Sequence, residues 1–207
     1  MSTWISDCPR WPALAFAICL SLAGCLGKGA GGERGFFSQA DGGAPLRQVA
    51  LYDGAVVVAG PAGYCLDKQG IKRGPRGEIV VIASCESLSG KAGRAVDPAI
   101  MTVSVLPRRL SSSRPTAKDI AATMAPASIL ARHEGAEISL VQLSDGGDQL
   151  LAGGDPRHWR GGLRINGHVV GLAVYGPEGS AAAGADGRQM ILSLADRLRQ
   201  LNPRPES

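Results

Sequence analysis

Short hydrophobic runs alternate with polar residues along most of the chain. This pattern is typical of β-strands rather than of long helices. Met101, Val103 and Val105 alternate with Thr102 and Ser104, so this run predicts a strand with one buried face. The run 78–83 is nearly all apolar and predicts a strand covered on both faces. Further strands are predicted at residues 46–52, 55–59, 137–144, 149–152, 163–165 and 168–175.

Two turn dipeptides divide these runs into hairpins. Asp53-Gly54 and Asn166-Gly167 are sequences that favour the left-handed conformations of a type I′ turn. They therefore predict an early hairpin over residues 46–59 and a late hairpin over residues 163–175.

Two helices are predicted among the strands. Thr116 and Asp119 have the spacing of a capping box, which starts a short helix that ends at about residue 124, before Pro126. Residues 188–201 form an amphipathic helix whose apolar face consists of Met190, Ile191, Leu194, Leu198 and Leu201. The predicted class is α+β: an antiparallel sheet of hairpins packed with a mid-chain helix and an amphipathic C-terminal helix.

The N-terminal segment has a different pattern. Residues 13–23 form an uncharged apolar run of eleven residues, about half of the ~20 that a membrane-spanning helix needs and a suitable length for the core of a signal peptide. A buried helix of a cytosolic protein is the alternative. Pro9 and Pro12 just before the run, and the glycines after it, favour the signal peptide.

The apolar run ends at Leu22-Ala23-Gly24-Cys25, which resembles the lipobox of bacterial lipoprotein precursors. The resemblance implies that residues 1–24 are a lipoprotein signal peptide and that Cys25 becomes the acylated N-terminus, carrying fatty acids such as palmitate. Two or more acyl chains give stable membrane anchoring. Ordinary secretion, with cleavage after the small residues Ser21 and Ala23, is the competing interpretation.

The remaining chain divides into a tether, one domain and a tail. Residues 25–44 are rich in glycine and predict a flexible tether, residues 45–202 a single α+β domain, and residues 203–207 a C-terminal tail. The order of the domain's elements resembles the PsbP-like fold of some envelope lipoproteins. The segments Gly63-Tyr64-Cys65 and Ala83-Ser84-Cys85 are similar to those of uncharacterised alphaproteobacterial envelope proteins. These resemblances imply a location in the cell envelope and supply no activity.

The cysteines support a disulfide. Of five cysteines, Cys8 and Cys19 leave with the signal peptide and Cys25 takes the lipid. Cys65 and Cys85 then remain as a pair in an oxidising compartment, each following a β-branched run, at residues 56–58 and 79–82. A catalytic thiol is the alternative, but no histidine in the sequence is tied to either cysteine.

The charge is mildly basic. A net charge of +4 without a dense basic cluster does not indicate a nucleic-acid partner. Lys68, Lys72, Arg73 and Arg76 lie in one glycine-rich loop, which suits either a membrane-facing surface or a solvated loop kept soluble by charge.

Motifs for catalysis or metal binding do not stand out. His133, His158 and His168 lack the spacing of metal ligands, and we predict neither a metal nor a cofactor. Arg157, His158, Trp159 and Arg160 place cations beside a large aromatic ring, which suits contact with an anionic or sugar ligand or with a partner. The alternative, which we favour, is a loop with Trp159 anchored in the core.

These observations favour a lipid-anchored envelope protein that faces the periplasm and acts as a non-catalytic binding or assembly module, with an envelope protein as a candidate partner. Leu26 after the lipidated cysteine favours the outer membrane over the inner. The alternatives are a periplasmic hydrolase and a small-ligand carrier that uses a groove between sheet and helix. A carrier should show an apolar cavity, and an assembly module an exposed apolar patch or an open sheet edge.

Overall fold

The computed structural model describes residues 44–109 and 113–203. Its strands are β1 Gln48–Leu51, β2 Val56–Ala59, β3 Tyr64–Leu66, β4 Lys72–Gly74, β5 Gly77–Ser84, β6 Ile100–Val105, β7 Ile129–Glu134, β8 Ser139–Leu143, β9 His158–Ile165 and β10 His168–Tyr175. Its helices are α1 Cys85–Ser89, α2 Ala117–Thr123 and α3 Ala185–Leu201, with 3₁₀ turns at Tyr52–Gly54 and Ala181–Ala183. The predicted signal peptide, Cys25, the tether up to residue 43 and residues 204–207 lie outside the described residues.

One antiparallel sheet dominates the domain, in the order β3-β5-β6-β10-β9-β8-β7, and β4 pairs with β5 as well. β1 and β2 form a separate two-stranded sheet. All pairings are antiparallel, and the helices pack on this sheet, so the α+β class predicted from the sequence is confirmed.

One face of the sheet carries the main core. Helix α3 packs on β9, β10 and β2, and its apolar stripe at Ile191, Leu194 and Leu198 is fully buried. The stripe meets inward side chains of the sheet such as Met101 and Leu172. This confirms the predicted amphipathic helix, which begins at Ala185, three residues earlier than expected.

The opposite face of the sheet is covered only in parts. Helix α2 packs over β7, β8 and β9, where Ala117 meets Val141 and Leu143. Further along, Leu150 and Leu151 pack against a small cluster that includes Tyr175. Between these two covers the surface of the sheet is open.

The two predicted hairpins form, but only one has the predicted turn. Asn166 (φ 47°) and Gly167 (φ 85°) make the two-residue turn between β9 and β10, as expected for type I′. In the first hairpin Leu51 pairs with Val56, so the loop comprises the four residues 52–55 rather than Asp53-Gly54 alone.

Three strands, β3, β4 and β7, were not predicted from the sequence, β9 begins at His158, where a loop was expected, and one predicted strand does not form. β7 was not expected, because Arg132, His133 and Glu134 interrupt its apolar pattern at the sheet edge, where polar side chains are common. The predicted strand at residues 149–152 is wrong: the segment is a turn, and its leucines pack across the sheet instead.

A disulfide joins Cys65 and Cys85. Cys65 lies on β3 and Cys85 follows β5, its neighbour in the sheet, which brings the two Cα atoms to 4.8 Å. The predicted disulfide is therefore confirmed. The run 56–58 before Cys65 belongs to β2 in the other sheet, so the bond does not link the two runs named from the sequence.

Candidate functional site

A groove of about 350 Å³ lies between α2 and the open part of the sheet. Residues of β6, β9 and β10 form its floor, and one side of α2 forms its wall. The floor includes Thr102, Ser104, Gly162 and Gly171, and the wall includes Pro115, Ile120, Thr123 and Met124. Its volume falls at the lower end of the range of small-molecule sites.

The groove exists because small residues meet in register. Gly171 pairs with Ser104 on one side and with Gly162 on the other, so the centre of the floor carries almost no side chain. Pro115 and Ile120 lie directly over Gly162, where an added Cβ would come within 3.0 Å and 3.2 Å of them. The helix thus closes one side of the depression and leaves the space above Gly171 empty.

Two exposed apolar side chains extend the groove. Leu106 lines it and is 45% exposed. Ile79, 42% exposed, pairs with Ser104 and so shares its face of the sheet. Exposed apolar side chains beside a groove commonly mark a binding site.

Arg160 forms the polar end of the groove. Its guanidinium carbon lies 5.4 Å from the centroid of the Tyr175 ring, and its Nε donates a 3.1 Å hydrogen bond to Nε2 of His158. The His158 ring stacks on Tyr175 at 5.1 Å. Thr102, opposite Ala173 on the floor, shares a hydrogen bond with the Tyr175 hydroxyl.

His158 is neutral at this site. Burial, and then the positive charge of Arg160, lower the pKa of His158 to about 4, although Asp145 and Asp148 act in the opposite direction. Because Nε2 accepts from Arg160, the ring proton resides on Nδ1, which faces the carbonyl of Pro156 at 3.4 Å. The positive charge of the cluster therefore belongs to Arg160 alone.

The four residues singled out from the sequence do not act as one cluster. Side chains alternate along β9, so His158 and Arg160 face the groove side while Trp159 faces α3, where its Nε1 donates to Gly184 O at 2.7 Å. Arg157 makes a bidentate pair with Asp155, at 2.9 and 2.8 Å. The hydrogen bonds from Arg157 keep the pKa of Asp155 far below its usual range.

The wall of the groove is fixed at its first turn. Thr116 and Asp119 form the predicted capping box. Glu134 on β7 accepts the backbone N–H of Ala117 and a 2.6 Å hydrogen bond from the Ser139 hydroxyl. These hydrogen bonds lower the pKa of Glu134 and attach α2 to the edge of the sheet.

The basic loop lies elsewhere. Lys68, Lys72 and Arg76 are exposed on and beside β4. Arg73 is engaged, since it pairs with Glu78 at 3.5 Å and donates to Ala50 O at 3.1 Å.

The other histidines lie apart from the groove's polar end. His168 is only 3% exposed, and its Nδ1 lies 2.8 Å from Leu106 O. His133 lies 3.5 Å from Arg188. Within the described ranges, no three His, Cys, Asp or Glu side chains are placed to share a metal ion.

The sequence offered a groove between sheet and helix as an alternative, but it located neither the lining of this groove nor the role of Tyr175. The available signal was the set of small residues on one face of three strands, at Thr102, Ser104, Gly162 and Gly171. With so little side-chain volume, this face leaves room for a depression. That signal becomes a site only when the strands are paired in the observed register.

Among the helices in the described part of the chain, none combines the length and hydropathy needed to cross a membrane.

Comparison with known proteins identifies no family for this chain. No family model matches the chain, and no curated protein does. Among solved structures, the chain is similar to the solution structure of cyanobacterial PsbP (CyanoP) from Synechocystis sp. PCC 6803. The match has 14% sequence identity and a TM-score of 0.39, and it covers 80% of this chain and 96% of that chain.

Proposed function

We propose that this protein is a non-catalytic binding module of the bacterial envelope, anchored by lipid on Cys25, and that its ligand occupies the groove under α2. The observation that carries the proposal is the open groove over Gly171, flanked by the exposed Leu106 and Ile79. Apolar surface left in contact with water is a cost that ligand binding removes.

The polar end of the groove supports binding rather than catalysis. Arg160, His158 and Tyr175 hydrogen-bond or stack with one another. These contacts fix the guanidinium in place, which suits recognition of a ligand. The base nitrogen of His158 is already occupied by Arg160, so it is not poised to take a proton from a substrate.

The anchor rests on the lipobox at Leu22-Ala23-Gly24-Cys25. A tether over residues 25–44 would extend up to roughly 70 Å when fully stretched. The groove would then reach ligands both at the membrane and well away from it. We expect the exposed Lys68, Lys72 and Arg76 to turn one side of the domain towards anionic lipid, and replacement of these three and Arg73 by Gln to weaken vesicle binding.

Photo-crosslinking from adjacent positions of α2 tests the binding function. A photoreactive residue at Thr123 lines the groove, whereas one at Ala122 is also exposed and lies outside the lining. In intact cells we expect adducts from position 123 and not from position 122. Equal adducts from both positions, or none from either, contradict the proposal.

Metabolic labelling with a radioactive fatty acid tests the anchor. The wild-type protein should take up the label, and Cys25→Ser should abolish it. Label that survives Cys25→Ser, or an unlabelled wild-type protein, contradicts lipid anchoring but leaves the proposed use of the groove to the crosslinking result.

A further inference from the structure

We infer that the ligand of the groove is an amphiphile with one alkyl chain and an anionic head group, with the head group on Arg160 and the chain over Gly171. This inference rests on the proposed binding function and adds the chemical class of the ligand.

The charge at the polar end points to an anionic head group. None of the ion pairs within the described ranges uses Arg160. The hydrogen bond to His158 and the contact with Tyr175 orient the guanidinium without neutralising it. A partly buried guanidinium without a carboxylate partner is a suitable donor for carboxylate, phosphate or sulfate oxygens.

One carboxylate also lines the groove, on the wall. Asp119 belongs to the capping box, and its Oδ2 accepts hydrogen bonds from the backbone N–H and the hydroxyl of Thr116, at 2.9 and 2.7 Å. Its charge is thus turned towards the first turn of α2. Asp119 lies beside Ile120, which covers Gly162 on β9. Arg160 is the neighbour of Gly162 on the same face of β9, two residues earlier in the chain.

The remainder of the groove suits an alkyl chain. From Thr102 to Leu106 the floor runs four residues along β6 and its continuation, about 13 Å at the usual rise of a strand. Gly171 leaves the centre of this path free of a side chain, with Ile120, which covers Gly162, and Met124 along its side. Such a trough shields a slender apolar chain from water along much of its length, although the floor also carries the hydroxyls of Thr102 and Ser104.

Titration of the exported Cys25→Ser protein tests this inference, because this variant carries no acyl chain of its own to compete. The probes are dodecanoate and dodecyl phosphate as anions, dodecanol as the neutral analogue and dodecyltrimethylammonium as the cation, all below the concentration at which they form micelles. Decanoate and octanoate report the dependence on chain length.

We expect both anions to bind at least tenfold more tightly than dodecanol and the cation to bind most weakly. Each methylene removed should weaken binding about two- to fourfold, since burial of a methylene sets the free energy per step. A preference for dodecyl phosphate over dodecanoate would point to a phospholipid-derived ligand, and the reverse preference to a free fatty acid.

Two variants separate the head-group claim from the groove. Arg160→Met should remove the preference for anions over dodecanol, while Arg164→Met, on the same strand but outside the groove lining, should keep that preference and serves as the charge control. Gly171→Val should abolish binding of every probe. An added Cβ at Gly171 meets nothing closer than Ser104 Cβ at 3.8 Å, so this variant is expected to fold.

The failures are distinguishable. Equal binding of anionic and cationic probes, or anion binding unchanged in Arg160→Met, overturns the ligand class while the groove remains a binding site. Absence of binding by any probe also overturns it, and crosslinking from position 123 then decides the proposed function independently. Binding unchanged in Gly171→Val contradicts the assigned location.

Discussion

Arg160 and His158 share one hydrogen bond, which directs the acceptor nitrogen of the imidazole towards the guanidinium. The guanidinium donates to Nε2 at 3.1 Å, and its positive charge disfavours a second proton on the ring. The two residues are consecutive on one face of β9. Together they give the groove a permanent positive charge beside a neutral imidazole.

The stability of the domain should therefore depend on the protonation of His158. The folded pKa of about 4 lies below the ordinary value of 6.5, so between these values the unfolded chain binds a proton that the native domain does not. The free energy of unfolding should fall as the pH drops, by about 1 kcal/mol between pH 7.5 and 5.5. Denaturant titrations at several pH values measure this slope.

His158→Gln keeps an acceptor for Arg160 and should flatten that slope. Arg160→Met should raise the pKa of His158, because it removes the nearby cation, and so should reduce the loss of stability. Restricting the comparison to pH 5.5 and above keeps the titration of carboxylates such as Asp155 out of it. An unchanged slope in His158→Gln would contradict the assignment.

The Cys65–Cys85 disulfide closes a separation of 20 residues. The loop-entropy relation gives about 3 kcal/mol for a loop of this size. Cys65→Ala combined with Cys85→Ala should lower the free energy of unfolding by about this amount. Reductant should have the same effect on the wild-type protein and none on the double variant. Two free thiols in protein recovered from the envelope would contradict the bond.

Asn202 should matter more than any exposed residue near it. It accepts from Val57 N at 2.8 Å and donates to Val57 O at 2.8 Å and Leu198 O at 2.7 Å. Asn202→Ala leaves these buried or partly buried backbone groups without the side-chain partner and should cost about 2–3 kcal/mol. Gln200→Ala, at an exposed position in the same turn, should leave the midpoint of denaturant unfolding nearly unchanged.

The capping box should set the local stability of the groove wall. Thr116→Ala removes the hydroxyl that accepts from Asp119 N at 3.1 Å and should cost about 1 kcal/mol. Hydrogen exchange of the α2 amides should accelerate. The β10 amides should change only as much as the global free energy of unfolding does. Thr116→Ser retains the hydroxyl and should restore slow exchange. Equal exchange in all three proteins would contradict the role of the cap.

Local patterns predicted much of the fold. The Asn166-Gly167 turn, the Thr116 cap and the stripe on α3 each depend on residues close in sequence, and all three form as expected. The paired cysteines were also accessible, through their number and the lipobox.

The candidate groove was not accessible in the same way. Its floor needs Ser104 beside Gly171, 67 positions later in the chain, and that register is set by packing of the whole sheet. The contact of Arg160 with Tyr175 has the same origin, because β9 and β10 must pair before the two side chains meet. Because side chains alternate along β9, Trp159 lies on the opposite face of the sheet from His158 and Arg160. The loop expected here would not have placed them on opposite faces.

The hydrogen bonds between Asn202 and Val57 also determine when the domain can complete its folding. The first hairpin leaves the ribosome, and any export channel, while its covering helix α3 has still to be made. Its backbone at Val57 stays without these partners until residue 202 has emerged. A chain interrupted before α3 presents an open hairpin to chaperones and proteases, so we expect resistance to proteolysis to appear once α3 and Asn202 have emerged.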